Sequence, residues 1–335
     1  SPPPAENRLR PSVIFIAVES LRADAVNRVH LGRKVMPNLS ELASQSNQFT
    51  RAYTQSTHSD YADVAVLSSL YPLRTRHHHY YRESDPWPKT LLYDLLHEDD
   101  YRTAIVSAQN EGWGGMSYFL DTPGLDLFYD AERSGLKTKR PGADFGFAGE
   151  LKAGTLTAGK LDDRDVTRRA LQWIDDNQDE PFFLSINFQS SHFPYLLSEP
   201  VERPFVPCEI DFDASFMYYP PKKTAIVRNA YFNALFLIDR QIRFLVERLQ
   251  ELEKMRPILL VVYGENGEAF HENGCVTHAK PPYEPMVHVP CILYATDLRQ
   301  PEQCDYPIQL IDVVPTALGL LGYSPHANFQ GIDVF

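Results

Sequence analysis

The stretch Val13-Ile14-Phe15-Ile16-Ala17-Val18-Glu19-Ser20 decides the fold. Six apolar residues, mostly β-branched or aromatic, form a run too short for an ordinary helix and end abruptly in a carboxylate and a hydroxyl. That pattern reads as a strand buried on both faces with a polar carboxyl end. Thr103 to Val106, Phe182 to Ile186 and Ile258 to Tyr263 repeat it. Between these runs, Met36 to Ser44, Tyr61 to Ser69, Leu91 to His97, Asp165 to Asp176 and Thr224 to Leu252 carry helical spacing, with Pro37 tolerated in a first turn. Strands alternating with helices predict an α/β fold, a mostly parallel central sheet with helices on both faces.

The composition fits that class. The chain has 335 residues, 43% hydrophobic and 12% aromatic, and 32 Lys plus Arg against 44 Asp plus Glu give a formal charge of −12. An acidic chain without a basic tail repels phosphate backbones, so nucleic acid is not an expected partner. No apolar run reaches the 18 or so residues that would span a bilayer. The first residue is Ser1, so the chain reads as processed or as part of a longer one, leaving room for a signal or membrane anchor upstream of a polar linker over residues 1–12. Cys208, Cys275, Cys291 and Cys304 have no zinc-knuckle spacing. Cys291 lies in the apolar run Val289 to Tyr294 and reads as a buried strand residue, and one disulfide is open among the others.

Two segments interrupt the alternation. Arg133 to Lys160 is rich in Gly and Lys, and Tyr195 to Lys223 is rich in Pro and aromatics. Loops of this length are expected to wall a cleft, the alternative being surface decoration. His77-His78-His79 is tempting as a metal cluster, but a helix running on from Ser59 carries it at least ~15 Å away, so it reads as peripheral. His271-Glu272 lacks the second histidine of a zinc helix motif.

In an open parallel sheet ligands bind beyond the carboxyl ends of the strands. Here those ends are Glu19-Ser20 and Gly264-Glu265-Asn266-Gly267, bringing two carboxylates and an amide together. Ser59 opens Ser59-Asp60-Tyr61-Ala62-Asp63 where a helix should start, a place that attracts anions. On local grounds Ser59 serves equally well as a helix cap or as a nucleophile.

Three separated patches resemble the sulfatase and alkaline-phosphatase superfamily. They are Val13 through Glu19 to Asp24, Ser59 through Leu70-Tyr71-Pro72-Leu73-Arg74-Thr75, and Val261 through Glu265-Asn266-Gly267-Glu268. Pro72 lies thirteen residues beyond Ser59, the register that makes Ser59 the reacting residue rather than His58 or Ser56. Further matches are Ser191-His192-Phe193-Pro194, Tyr231 to Leu235, Tyr283-Glu284 through Pro290, and Ile311 to Thr316. The resemblance covers residues 13–335 and implies a sulfatase-like catalytic domain with a reduced or missing C-terminal subdomain.

It also implies a covalent Ser59 and one divalent cation held by Glu19, Ser59, Glu265 and Asn266. An all-oxygen set of this kind suits Ca²⁺, Mg²⁺ or Mn²⁺ better than zinc. By the same resemblance His192, His278 and Lys280 are candidates for proton transfer, with His192 first. Asn110 and Trp113 are candidates for the substrate pocket. The expected substrate is an anionic ester, a phosphorylated or sulfated lipid, sugar or small molecule.

The departures are specific. The motif that directs conversion of a sulfatase nucleophile to formylglycine needs Pro and Arg where this chain has Tyr61 and Asp63. Ser59 is therefore expected to remain serine. The superfamily's lysine near the middle strand is replaced by Ser107-Ala108-Gln109-Asn110. The pattern looks nearest the membrane-anchored phosphoglycerol and phosphoethanolamine transferases, which implies a periplasmic or other extracytoplasmic setting and slightly favours phosphoryl transfer. Glu265, one methylene longer than the usual Asp, is expected to leave the metal site either altered or empty. Two rivals remain: a strict sulfatase with an unusual nucleophile motif, and a catalytically degenerate anion-binding domain.

Overall fold

The computed structural model describes residues 10–72, 81–83, 89–136, 138 and 159–335. Its strands are β1 (Ser12–Val18), the ribbon β2 (Val29–His30) and β3 (Arg33–Lys34), β4 (Asn47–Tyr53), β5 (Arg102–Ser107), β6 (Leu127–Tyr129), β7 (Phe182–Phe188), β8 (Ile258–Gly264), the ribbon β9 (Ala269–Phe270) and β10 (Val276–Thr277), β11 (His288–Ala295) and β12 (Gln303–Gln309). The α-helices are α1 (Pro37–Ser44), α2 (Ser59–Ser68), α3 (Leu92–His97), α4 (Met116–Leu120), α5 (Asp163–Asp176), α6 (Thr224–Leu252), α7 (Glu284–Val287) and α8 (Val313–Leu320).

Eight strands form one sheet in the order β12-β4-β11-β8-β1-β7-β5-β6. Only β11 runs antiparallel to its neighbours there, β4 and β8. The sheet is mostly parallel, as the alternation of runs predicts.

Side-chain parity divides the core. Ile14, Ile16 and Val18 of β1, with Leu260 and Val262 of β8, pack under α1, α5 and α6. Val13, Phe15 and Ala17, with Leu259, Val261 and Tyr263, pack on the other face under α2, α3, α4 and α8. A strand covered on both faces cannot alternate apolar with polar, which is why these runs are continuously hydrophobic. Val18 pairs with Gly264 and with Phe188, so β1, β7 and β8 end level and deliver the next residues to one edge.

All four cysteines are free thiols, so the disulfide left open by the sequence does not form. Cys291 is buried in β11 as expected. No described helix is long and apolar enough to cross a membrane. His77-His78-His79, and most of Arg133 to Lys160 expected as a cleft wall, lie outside the described residues. Tyr195 to Lys223 is a long connection with a bridge at Ser215–Tyr218 and a short 3-10 turn at Pro221–Lys223. With Phe193 it lines a cavity of about 520 Å³, so it does wall a recess.

Candidate functional site

The level ends of β1 and β8 set Glu19 and Glu265 side by side, and the Glu265 amide donates to the Val18 carbonyl at 3.0 Å. Both carboxylates are 0% exposed. Helix α2 begins beside them. Its N-cap is His58, which makes no side-chain cap bond, so Ser59 is the first helical residue and not the cap. The Ser59 hydroxyl turns away from its own helix and donates to Glu19 Oε2 at 2.9 Å.

Among the described residues, four buried polar atoms here make no hydrogen bond of ordinary geometry: Oε1 and Oε2 of Glu265, and Oδ1 and Nδ2 of Asn266. Buried polar groups are normally satisfied, so orphans clustered beside a second carboxylate mark a place built for a positive ligand. Electrostatics agree. Burial first, then the negative charges of Asp63 and Glu19, push the Glu265 carboxyl well above its usual range. Asp63 is raised for the same reasons, by burial and then by Glu111 and Glu19. Glu19 behaves oppositely: burial alone would raise it, but the pull of His278, His192 and Lys160 holds it well below the carboxylate range. A divalent ion suits this donor set, and Glu19, Ser59, Glu265 and Asn266 offer it hard oxygen atoms.

Glu19 has two sides. Oε1 accepts from the Ser20 hydroxyl at 3.1 Å and lies 3.4 Å from His278 Nε2. The left-handed backbone at Ser20, φ 55°, folds that hydroxyl back onto the carboxylate. His278 Nδ1 in turn meets Glu268 Oε2 at 2.7 Å, and the Tyr195 hydroxyl donates to Glu268 Oε1. Burial lowers the His278 pKa, but Glu268 and Glu19 outweigh it and the net shift is upward. His192 lies edge to face with His278, centroids 4.9 Å apart, and its ligand nitrogen, one from His278 and one Glu19 oxygen fall within 4.8 Å of one another. Glu19, His192 and His278 could thus also hold an ion.

The His192 loop is fixed from behind. Asp163, at the start of α5, accepts the Gln189 and Ser190 amides at 2.9 Å each, and the Ser191 hydroxyl donates to the Glu19 carbonyl. His192 Nδ1 meets the Phe193 carbonyl at 2.7 Å. Because a carbonyl can only accept, Nδ1 carries the proton in that bond.

The remaining sequence candidates are spread around the rim. Trp113 stacks on His58, centroids 5.2 Å apart at 15°, next to Ser59. Asn110 is buried and its Oδ1 accepts the Gly112 amide, a turn role. Lys280 is not gathered with the histidines: its Nζ is 2.7 Å from Met217 Sδ and 5.8 Å from the Phe216 ring centroid, and burial lowers its pKa.

Sequence reasoning missed a chain of amides beside Glu19. Gln189 Nε2 donates to Asn187 Oδ1 at 2.7 Å and reaches Glu19 Oε2 at 3.4 Å, while Asn187 Nδ2 donates to Asp63 Oδ2 at 2.7 Å. Lys160 Nζ donates to Gln189 Oε1 at 2.5 Å. Asn187 and Gln189 were findable, since they close the strand β7 that runs into His192. Lys160 carried no local signal.

Comparison with known proteins gives this geometry a family. The sulfatase family model matches residues 11–323. A lipoteichoic acid synthase-like protein, YvgJ of Bacillus subtilis, is 24% identical over 95% of this chain, and the chain spans about half of that relative, 48%. A sulfatase of Formosa agariphila is 20% identical over 95% of the chain and 71% of its own length. Among solved structures, the lipoteichoic acid synthase LtaP of Listeria monocytogenes superposes with a TM-score of 0.71 at 18% identity, over 99% of this chain and 78% of that one. The lipooligosaccharide phosphoethanolamine transferase EptA of Neisseria meningitidis gives 0.70 at 16% identity, over 98% and 58%. The chain belongs to the sulfatase family, ester hydrolases and transferases with an alkaline-phosphatase-like fold.

Proposed function

We propose that this chain cleaves or transfers an anionic phosphate ester through a covalent intermediate on Ser59. The observation that carries the proposal is the buried pair formed by Ser59 Oγ and Glu19 Oε2, 2.9 Å apart, beside the Glu265 and Asn266 oxygens that make no hydrogen bond of ordinary geometry. A serine held only to cap its helix would not face a carboxylate from a different strand.

The residues divide the work. Glu19, Ser59, Glu265 and Asn266 would hold one divalent ion. When bound, such an ion lowers the pKa of a ligated hydroxyl and stabilises charge on the transferred group. Glu19 Oε2 orients the Ser59 hydroxyl. His192, whose Nδ1–H is held by the Phe193 carbonyl, would enter as the imidazolium, give its Nε2 proton to the departing alcohol, and as the neutral imidazole take one back from the incoming water or alcohol. Proton transfer supplies about 10²- to 10⁴-fold, far below what phosphate ester cleavage needs, so preorganised charge must supply most of the acceleration.

Phosphoryl transfer is favoured over sulfate hydrolysis because Tyr61 and Asp63 replace the Pro and Arg of a formylglycine-directing segment. Asp63 is moreover buried and hydrogen-bonded to Asn187, a setting foreign to an arginine. An extracytoplasmic location belongs to the same proposal, supported by the similarity to EptA, which is described as an integral membrane protein.

The test is Ser59→Ala assayed on aryl phosphate, phosphodiester and aryl sulfate substrates with Mg²⁺, Mn²⁺ or Ca²⁺. Loss of all turnover, with wild-type activity strongest on a phosphate substrate, is expected. Unchanged turnover in the variant refutes the role of Ser59, and a wild-type preference for sulfate refutes the phosphoryl assignment.

A further inference from the structure

The cavity walled by the Tyr195 to Lys223 connection has no part in the reaction described above, yet it shares walls with residues that carry it. Phe216 lines the cavity and stacks on His192, ring centroids 5.5 Å apart at 19°, while meeting His278 edge-on at 4.8 Å. Phe193, whose carbonyl holds His192 Nδ1, is a second wall. The proposed reaction puts the departing alcohol at His192, so a recess built on the same rings is placed to take the remainder of that alcohol.

The recess is preformed. Asn233 Oδ1 accepts the Phe205 amide at 3.0 Å and its Nδ2 donates to the Phe205 carbonyl at 2.8 Å, tying the connection to α6. Thr277 Oγ1 donates to the Phe216 carbonyl at 2.6 Å, tying it to β10. At about 520 Å³ the cavity falls in the range of small-molecule sites. Its charges narrow the occupant. Glu209 and Asp211 line it and are exposed, and Arg203 is paired with Glu199 at 2.7 Å. Lys223 lies over the Phe212 ring at 4.8 Å and Lys280 beside the Phe216 ring at 5.8 Å. Among the described residues named here, three cations stand against three carboxylates, leaving no excess of either sign to draw in a charged group. An apolar tail would strip water from Glu209 and Asp211 and return no hydrogen bond. A neutral alcohol with several hydroxyls meets both conditions: its O–H groups donate to carboxylates, which only accept, and its C–H face packs on the rings of Phe193, Phe212 and Phe216.

We propose that this cavity binds an uncharged polyol or sugar, the alcohol portion of the ester substrate. Its link to the reaction rests on the reading of Ser59 as nucleophile and His192 as proton donor, because that reading puts the departing alcohol beside Phe216. The competing role is structural: a packing void beneath the connection.

Saturation-transfer NMR with methyl β-glucoside separates the two without reading turnover, with n-hexanol and choline as the apolar and cationic probes. Wild type is expected to saturate the glucoside more strongly than either of the others at equal concentration. Ala214 lines the cavity, so Ala214→Trp fills it and is expected to remove most of the glucoside signal. Asp211→Ala deletes one acceptor and should weaken glucoside binding by about 3- to 10-fold. The Trp variant decides if its urea midpoint matches wild type; otherwise the Ala variant, at an exposed position, decides. No glucoside signal from wild type, a signal that the deciding variant leaves unchanged, or stronger saturation of hexanol or choline overturns the proposal. Such a failure leaves Ser59 as nucleophile untouched. Conversely, a Ser59→Ala variant that still turns over substrate removes the nucleophile reading while the glucoside signal stands.

Discussion

At the scale of single residues, Glu111 shows how closely the acids beside the site are balanced. Burial lifts its carboxyl to about 7, with Asp130 adding to the rise and Ser107, Lys160 and Arg133 opposing it. The folded chain therefore keeps a proton that the unfolded chain releases near 4.5. With fewer protons on the unfolded state, stability falls as pH rises from that value to about 7 and is level above it. At ~1.4 kcal/mol per pH unit the loss approaches about 3 kcal/mol. Glu111→Gln should remove it. Urea unfolding at pH 5 and pH 8 is expected to show the variant gaining on wild type at the higher pH, whereas parallel behaviour would mean that Glu111 is ionised in the fold. The same scale shows what a sequence can reveal. Ser59, Glu19 and Glu265 were legible because each follows a run that must be strand or precedes one that must be helix. Lys160 was not, since its contact with Gln189 depends on which distant backbone it lies against.

At the scale of elements, the long buried runs read correctly to within one or two residues: β1, β7, β8 and the full span of α6 follow the apolar pattern. Strands β4 and β12 escaped. The sequence Asn47-Gln48-Phe49-Thr50-Arg51-Ala52-Tyr53 mixes polar residues with apolar ones, and β12 carries Pro307 at the sheet's edge with a register shift between Cys304 and Pro307. The edge strand β12 exposes alternate residues and tolerates proline, so it lacks the apolar density of a central strand, whereas β4 lies inside the sheet and intersperses buried Phe49 and Ala52 with exposed or half-buried polar residues. Among the elements, the junction of β7 with α5 bears most directly on chemistry. Asp163 receives two backbone amides from the segment that carries His192. Asp163→Ala leaves both amides buried and unpaired, which should cost about 3 kcal/mol by urea unfolding. It should also lower kcat more than it raises KM, because His192 loses its fixed approach. Wild-type kcat in a measurably destabilised variant would show that the loop is held without Asp163.

At the scale of the whole molecule, the sheet explains why one edge gathers so many polar side chains. Parallel strands packed between two helical layers must end together, and β1, β7 and β8 do so at Val18, Phe188 and Gly264. The residues that follow, Glu19, Gln189 and Glu265, are thereby set side by side though they come from three distant parts of the chain. Fold class and the site's approximate location were readable from periodicity, and the superfamily resemblance added the register of the nucleophile. The second coordination of Glu19 by His278 and Ser20 needed three-dimensional placement. The central claim, a serine that carries the transferred group, is tested most directly by peptide mass spectrometry of protein quenched during turnover of a phosphate ester. The phosphoryl group is expected on the peptide containing Ser59 when Mn²⁺ is present and not after chelation. Continued turnover with Ser59 unmodified, or the label on another residue, would contradict it.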